Sequence, residues 1–203
     1  MTATQNGAPA RRGRPGHSVE SLLGVAVAVF NERGYEATSM DELAVRLGVT
    51  KSAIYHHVPS KVELLRLALD RALDALFAVT EHPAATAGRA IDRLEHVVRA
   101  SIGVLAAELP YVTLLLRVRG NSEVERSALQ RRREFDRFVT ALVRAAEHEG
   151  DVRPDVDPAV TSRLLFGTVN SLTEWYRPGG GLSADDLADS VVTVLFTGLR
   201  TRS

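Results

Sequence analysis

The chain has 203 residues, of which 45% are hydrophobic and 25% charged. This composition is typical of globular proteins and excludes disorder for most of the chain. No apolar run approaches the ~18 residues of a membrane-spanning helix, so we expect no membrane partner. Cysteine is absent, which excludes disulfides and thiolate zinc sites and favours a cytoplasmic location.

Basic and acidic residues balance at 25 each, which argues against a protein that coats nucleic acid along its whole surface. Their distribution is uneven, however. Residues 1–62 carry two more basic than acidic side chains, and the remainder carries two more acidic than basic ones. Three arginines and no acid lie within the first 16 residues. The N-terminal part is therefore the expected partner of a nucleic acid.

Residues 1–17 show no apolar periodicity and are predicted to be a disordered basic arm. From Ser18 onward, apolar residues recur at helical spacing, and strand patterns are absent. The sequence therefore predicts an all-α fold of about nine helices. In chain order they cover residues 18–33, 39–47, 50–57, 60–80, 84–107, 110–119, 122–149, 157–177 and 183–199.

Several helix starts carry a Ser-x-x-Glu capping box, in which the serine and the glutamate each satisfy one free backbone N–H. These boxes begin at Ser39, Ser60 and Ser122. Gly34 and Gly48 are suited to end the first and second helices. Pro59 disfavours helical geometry at Val58 and so ends the third.

The second and third helices are predicted to form a helix-turn-helix, because Gly48 permits the tight turn between them. Four apolar side chains can fill the angle between the two helices: Leu43, Leu47, Val49 and Ile54. The outer face of the third helix then carries Lys51, Ser52, Tyr55 and His56. A recognition helix meets base edges and phosphates with such a face.

Residues 26–64 resemble the N-terminal domain of the tetracycline-repressor (TetR) family of transcriptional regulators. The resemblance rests on these positions: Phe30, Gly34, Tyr35, Thr38, Ser39, Leu43, Ala44, Gly48, Val49, Tyr55, His57, Lys61 and Leu64. It implies a set of DNA contacts at Thr38, Ser39, Thr50, Lys51, Ser52, Ala53, Tyr55, His56 and Lys61. Within that set, Thr38, Ser39 and Lys61 are expected on phosphates, and Lys51, Ser52 and Ala53 in the major groove.

The arm adds Arg11, Arg12 and Arg14, which are expected in an adjacent minor groove. Simpler interpretations stay open for several of these residues. Tyr55 can pack against the first helix instead, and the arginine arm can be a solubilising tail. The run Arg131–Arg133 is interpreted as a solvated helix face, because acidic residues flank it.

No catalytic motif is present in the sequence, and we predict neither an enzyme nor a cofactor. Adjacent histidines such as His56 and His57 diverge around a helix, so no metal site is predicted. We divide the chain into an arm (1–17), a DNA-binding domain (18–62) and a ligand-binding and dimerisation domain (63–203).

The last two predicted helices carry long apolar stripes. In TetR-like proteins these helices pair with their copies in a dimer, which implies a homodimer here as well. The helical body is expected to enclose a ligand pocket lined by Phe77, Leu105, Leu109, Phe138, Phe166, Asn170, Glu174 and Trp175. Residues 170–179 resemble the corresponding part of TetR-type regulators that respond to acyl-CoA thioesters.

The resemblance implies a repressor that leaves a palindromic operator in double-stranded DNA when a small hydrophobic effector, such as an acyl-CoA or a related catabolic metabolite, binds. The alternative is a DNA-binding regulator or architectural protein with no small-molecule input. The two hypotheses differ in whether any metabolite lowers the affinity for the operator.

Overall fold

The computed structural model describes residues 18–200. They form ten helices and no β-strand, which confirms the predicted all-α fold. The helices are α1 (Val19–Arg33), α2 (Met40–Leu47), α3 (Lys51–Tyr55), α4 (Lys61–Glu81), α5 (Pro83–Thr86), α6 (Ala90–Ala107), α7 (Leu109–Arg117), α8 (Glu123–His148), α9 (Pro158–Trp175) and α10 (Ala184–Leu199).

The capping boxes are half formed. Ser39, Ser60 and Ser122 each accept a hydrogen bond from the backbone N–H three residues further on. The three glutamates have other partners: Glu42 contacts Arg33, Glu63 contacts Arg66, and Glu125 accepts the backbone N–H groups of residues 119–121. The serines therefore fix the helix starts. Glu42 and Glu125 tie those starts to neighbouring segments, while Glu63 pairs within its own helix.

The predicted helix over 84–107 is two helices in the structure, which explains why ten are present rather than nine. The chain breaks between α5 and α6 at Gly88, whose φ of 94° is unfavourable for other residues. His82 opens α5, because its side-chain Nδ1 accepts a hydrogen bond from the N–H of Ala84. The third helix also ends earlier than predicted, at Tyr55.

Two hydrophobic cores hold the fold together. One combines α1, α2 and α3 with the first half of α4, with α7 and with the start of α8. The other combines α6, α9 and α10 with the later part of α8. Phe77 and Val112 pack against both cores. Helix α7, which lies far from the N-terminus in sequence, therefore packs with the N-terminal helices.

Helices α6 and α7 follow each other with a bend of 102°. Within residues 18–200, no single helix is long and apolar enough to cross a membrane, and this bent pair satisfies the criteria of length and composition only when its two helices are taken together.

Candidate nucleic-acid interface and cavity

The turn between α2 and α3 has the geometry that a helix-turn-helix requires. Gly48 adopts the left-handed conformation, with φ 66° and ψ 33°. Leu43 and Ile54 are buried, and Leu47 and Val49 pack beside them. Thr50 then caps α3, since its hydroxyl accepts a hydrogen bond from the N–H of Ala53. The four apolar residues predicted to fill the angle between the helices are thus at the core.

The predicted contact residues on and before α3 form one accessible surface. Ala53 is half-buried, and the others are exposed: Ser39, Thr50, Lys51, Ser52, Tyr55 and His56. Tyr55 keeps 45% of its surface accessible, which disfavours the interpretation that it only packs against α1.

Lys51 is oriented by a neighbouring helix. Its Nζ atom donates a hydrogen bond to Oδ2 of Asp41 over 2.9 Å. That bond and the carboxylate charge raise the pKa of Lys51. The lysine therefore remains charged and lies between the exposed starts of α2 and α3, where a phosphate can compete with Asp41 for it.

Two residues predicted to contact phosphate bind backbone carbonyls in the structure. Thr38 is only 2% exposed, and its hydroxyl donates a hydrogen bond to the carbonyl of Gly34. The ammonium of Lys61 donates to the carbonyls of Tyr35 and Thr38 at 2.8 and 2.9 Å, and to that of Glu36 at 3.4 Å. In the structure these two side chains hold the loop before α2, and their phosphate contacts stay a prediction.

Arg11, Arg12 and Arg14 lie outside the described residues, so their predicted minor-groove contacts stay a prediction. Within residues 18–200, no three His, Asp or Glu side chains come together as a possible metal site.

The helical body contains a cavity of about 400 Å³ between α4, α6, α7, α8 and α9. Its wall is mainly apolar and includes Val104, Leu105, Val112, Leu116 and Phe166. Its polar lining consists of Ser101, Arg132, Arg133, Asp136, Arg163 and Asn170. A volume of this size lies within the range of small-molecule sites, and so does this mixture of many apolar and few polar groups.

Arg132 is the most unusual of these groups, because burial lowers the pKa of its guanidinium. Its hydrogen bond to the carbonyl of Leu115 is long, at 3.4 Å. No carboxylate in residues 18–200 forms an ion pair with it, whereas the adjacent Arg131 pairs with Asp70 and Asp74. A partly desolvated cation without a counter-ion favours an anionic ligand in the cavity.

Other polar groups complete the site. The hydroxyl of Ser101 is buried and has no hydrogen-bond partner among the described residues. Asp136 accepts a hydrogen bond from the hydroxyl of Ser162 over 2.9 Å. The cavity lining contains three arginines, at positions 132, 133 and 163, and one acidic residue, Asp136.

Three of the predicted pocket residues line this cavity: Leu105, Phe166 and Asn170. The other five do not. Phe77, Leu109 and Phe138 pack against the core, while Glu174 and Trp175 are exposed at the end of α9. The solvated-face interpretation of the arginine run is wrong for Arg132. The sequence contained a signal for this position. Arg132 directly follows Arg131, so its side chain points away from the acidic partners of Arg131.

A second surface feature is an apolar face shared by α9 and α10. Val160, Leu164 and Trp175 of α9 and Val194 of α10 are all exposed, with Leu164 at 66% and Val194 at 73%. Small or hydroxylated residues surround them: Gly167, Thr168, Ser171, Ser190, Thr197 and Gly198. Exposed apolar side chains grouped in this way are typical of a surface that another molecule covers.

The chain matches known families along most of its length. Residues 22–68 match the bacterial regulatory proteins of the tetR family, and residues 87–199 match the tetracyclin repressor-like C-terminal domain. The transcriptional repressor KstR2 of Mycobacterium tuberculosis is 30% identical over 187 residues, which cover 88% of this chain and 90% of KstR2.

Solved structures agree. SCO3833 of Streptomyces coelicolor A3, a member of the TetR family, is 54% identical with a TM-score of 0.84, over 91% of this chain and 94% of that one. AibR, in its complex with isovaleryl coenzyme A and operator DNA, is 27% identical with a TM-score of 0.75, over 87% of this chain and 97% of AibR.

Proposed function

The chain belongs to the TetR family of DNA-binding transcriptional regulators, and we propose that it is a repressor whose homodimer leaves a palindromic operator when an acyl-CoA or a related hydrophobic metabolite enters the cavity. The family consists of regulators rather than enzymes. We place its action in the cytoplasm, where the operator is.

The proposed DNA-binding surface consists of Ser39, which precedes α2, and of the accessible side chains at residues 50–53, 55 and 56 around α3. Thr50 and Lys51 stand at the start of α3, where free backbone N–H groups favour phosphate. Ser52 and Ala53 are the proposed contacts to base edges, and Tyr55 and His56 the contacts to the backbone or to base methyls. The domain of residues 18–62 carries this surface, and residues 63–203 carry the ligand and dimer functions.

The apolar face of α9 and α10 is the proposed dimer interface. Val160, Leu164 and Val194 lose contact with water when a second copy covers them. A two-fold axis at this face carries two copies of α3, which suits a palindromic operator with two half-sites.

The observation that carries the effector assignment is Arg132 in the cavity wall. A ligand with an apolar body and an anionic group satisfies both the wall and the unpaired guanidinium. An acyl-CoA has both parts, and AibR is known in complex with isovaleryl coenzyme A. A regulator without small-molecule input gives no reason for this arrangement.

The test measures operator binding by fluorescence anisotropy, using DNA from upstream of the gene and a panel of acyl-CoA thioesters that begins with isovaleryl-CoA. We expect at least one thioester to weaken the binding of the unmodified protein. Arg132→Met should abolish this response, while Arg144→Met, an exposed change on the same helix, should preserve it. An unresponsive protein, or an equal response of both variants, contradicts the assignment.

A further inference from the structure

Helix α7 stands between the cavity and the N-terminal helices. Val112 and Leu116 line the cavity. On another side of the same helix, Tyr111 and Leu114 belong to the core that contains α1, α2 and α3. Leu115 takes part in both. A helix of nine residues thus has one side on the proposed ligand and another on the DNA-binding helices.

The last turn of α1 is hydrogen-bonded to both ends of α7. At the start of α7, Nδ2 of Asn31 donates to the carbonyl of Pro110 over 2.8 Å. At its end, Nη1 of Arg117 donates to the backbone carbonyl of Asn31 over 2.6 Å. We call this pair of bonds the Asn31 latch.

Helix α4 contacts the start of α7. The guanidinium of Arg71 binds both carboxylate oxygens of Glu108, at 2.6 and 3.1 Å. It also lies 4.3 Å from the ring centre of Tyr111 and contacts Glu20 of α1 at 3.5 Å. Helices α1, α4 and α7 are therefore joined where α7 begins.

The latch lies close to the recognition elements along the chain. Asn31 precedes Gly34, whose carbonyl accepts the hydroxyl of Thr38, the residue before the cap of α2. Asn31 is thus three residues and one hydrogen bond away from the start of the helix-turn-helix.

We propose that α7 transmits occupancy of the cavity directly to α1 through the Asn31 latch, in addition to any movement of α4. A short packed helix moves as a unit, so a ligand that displaces Val112 and Leu116 also displaces Pro110 and Arg117. A shift on the order of 1 Å takes hydrogen bonds of this length beyond the bonding range. The inference rests on the proposed function, because it requires cavity occupancy to weaken operator binding.

A covalent probe tests the latch without knowledge of the natural effector. The chain has no cysteine, so Ser101→Cys introduces a single thiol at the cavity wall. Benzyl methanethiosulfonate converts that thiol to a benzyl disulfide, and dithiothreitol reverses the change. Val104→Cys provides a second attachment point on the same wall in case the first variant does not fold.

The measured quantity is the ratio of operator Kd values with the cavity labelled and unlabelled. We expect labelling to weaken operator binding by a factor within the usual allosteric range of about 5–150. Adding Arg117→Met or Asn31→Leu should reduce that factor at least threefold. Arg119→Met is the matched control, because its guanidinium forms no hydrogen bond within residues 18–200, and it should leave the factor unchanged.

Each outcome decides the question. A reduced factor in both latch variants, with the control unchanged, supports the latch. An unchanged factor in the latch variants overturns the latch and leaves the proposed function intact. If labelling changes operator binding in no background, cavity occupancy is not coupled to DNA, and both proposals are overturned.

Discussion

Replacing Lys61 by methionine separates two roles that this residue can have in a DNA-binding domain. The aliphatic part of the side chain is largely kept, and the ammonium is lost. In the structure that ammonium binds the carbonyls of Tyr35, Glu36 and Thr38 and lies 4.3 Å from the ring centre of Tyr35. We therefore expect the substitution to destabilise the loop before α2 rather than to remove a phosphate contact.

The magnitude follows from those bonds. A hydrogen bond to a charged group contributes about 1.5–3 kcal/mol, and the half-buried position of Lys61 reduces that value through solvent screening. Two of the three bonds are short, at 2.8 and 2.9 Å, so we expect a total loss of about 2 kcal/mol. At this chain length, that loss corresponds to a fall in Tm of about 4–8 °C.

Thermal unfolding measures the loss, and a salt titration of operator binding tests the alternative. A lost phosphate contact lowers the slope of log K against log salt by about one unit. Lys51→Met is the control, because its pair with Asp41 is exposed and screened by solvent. This variant should weaken DNA binding at nearly constant Tm. An unchanged Tm for Lys61→Met together with a reduced salt slope would refute the loop assignment.

Three further predictions follow from exposure and burial. Tyr55→Ala should change the free energy of unfolding, measured by denaturation, by less than about 0.5 kcal/mol. It should also weaken operator binding, measured by anisotropy. Unfolding of the variant would contradict the exposed position of Tyr55. Leu164→Arg should convert the dimer to a monomer in light scattering, while Val45→Arg, at an 81% exposed position of α2, should leave the mass unchanged; a dimeric Leu164 variant would exclude this interface. Burial and the stacked His82 lower the pKa of His96. The folded protein therefore binds this proton less readily than the unfolded chain, in which a histidine titrates at about pH 6.5. The Tm should therefore fall between pH 7 and 5, and His96→Phe should reduce that fall; an identical pH profile would contradict the assignment.

The helix-turn-helix was predictable because its signals are local. Ser39, Gly48 and Thr50 act within a few residues of their own position, as caps or as a turn, and the structure has each of them in that role. The loop contacts of Lys61 were not predictable, for the opposite reason. Its partners lie 23–26 residues earlier in the chain, and sequence spacing does not report which carbonyls a loop brings to one ammonium.

The cavity shows the same limit in the run Arg131–Arg133. Consecutive helical residues point about 100° apart, so three identical side chains reach three environments. Arg131 pairs with Asp70 and Asp74 of α4. Arg132 forms part of the cavity wall, and the exposed Arg133 lies at the edge of the cavity. Periodicity identifies the buried face of α8 from residues such as Phe135 and Val139, but not where that face meets an unfilled volume.

One wall of that volume is formed by α7, which packs mainly with the N-terminal helices and contacts the core of the body through Leu109 and Val112. The bend of 102° between α6 and α7 turns α7 away from the direction of α6. The same packing that leaves room for a ligand also puts Asn31 within reach of Pro110 and Arg117. Cavity and latch are therefore two consequences of one placement of α7, so a substitution that moves this helix should alter ligand binding and its coupling to DNA together.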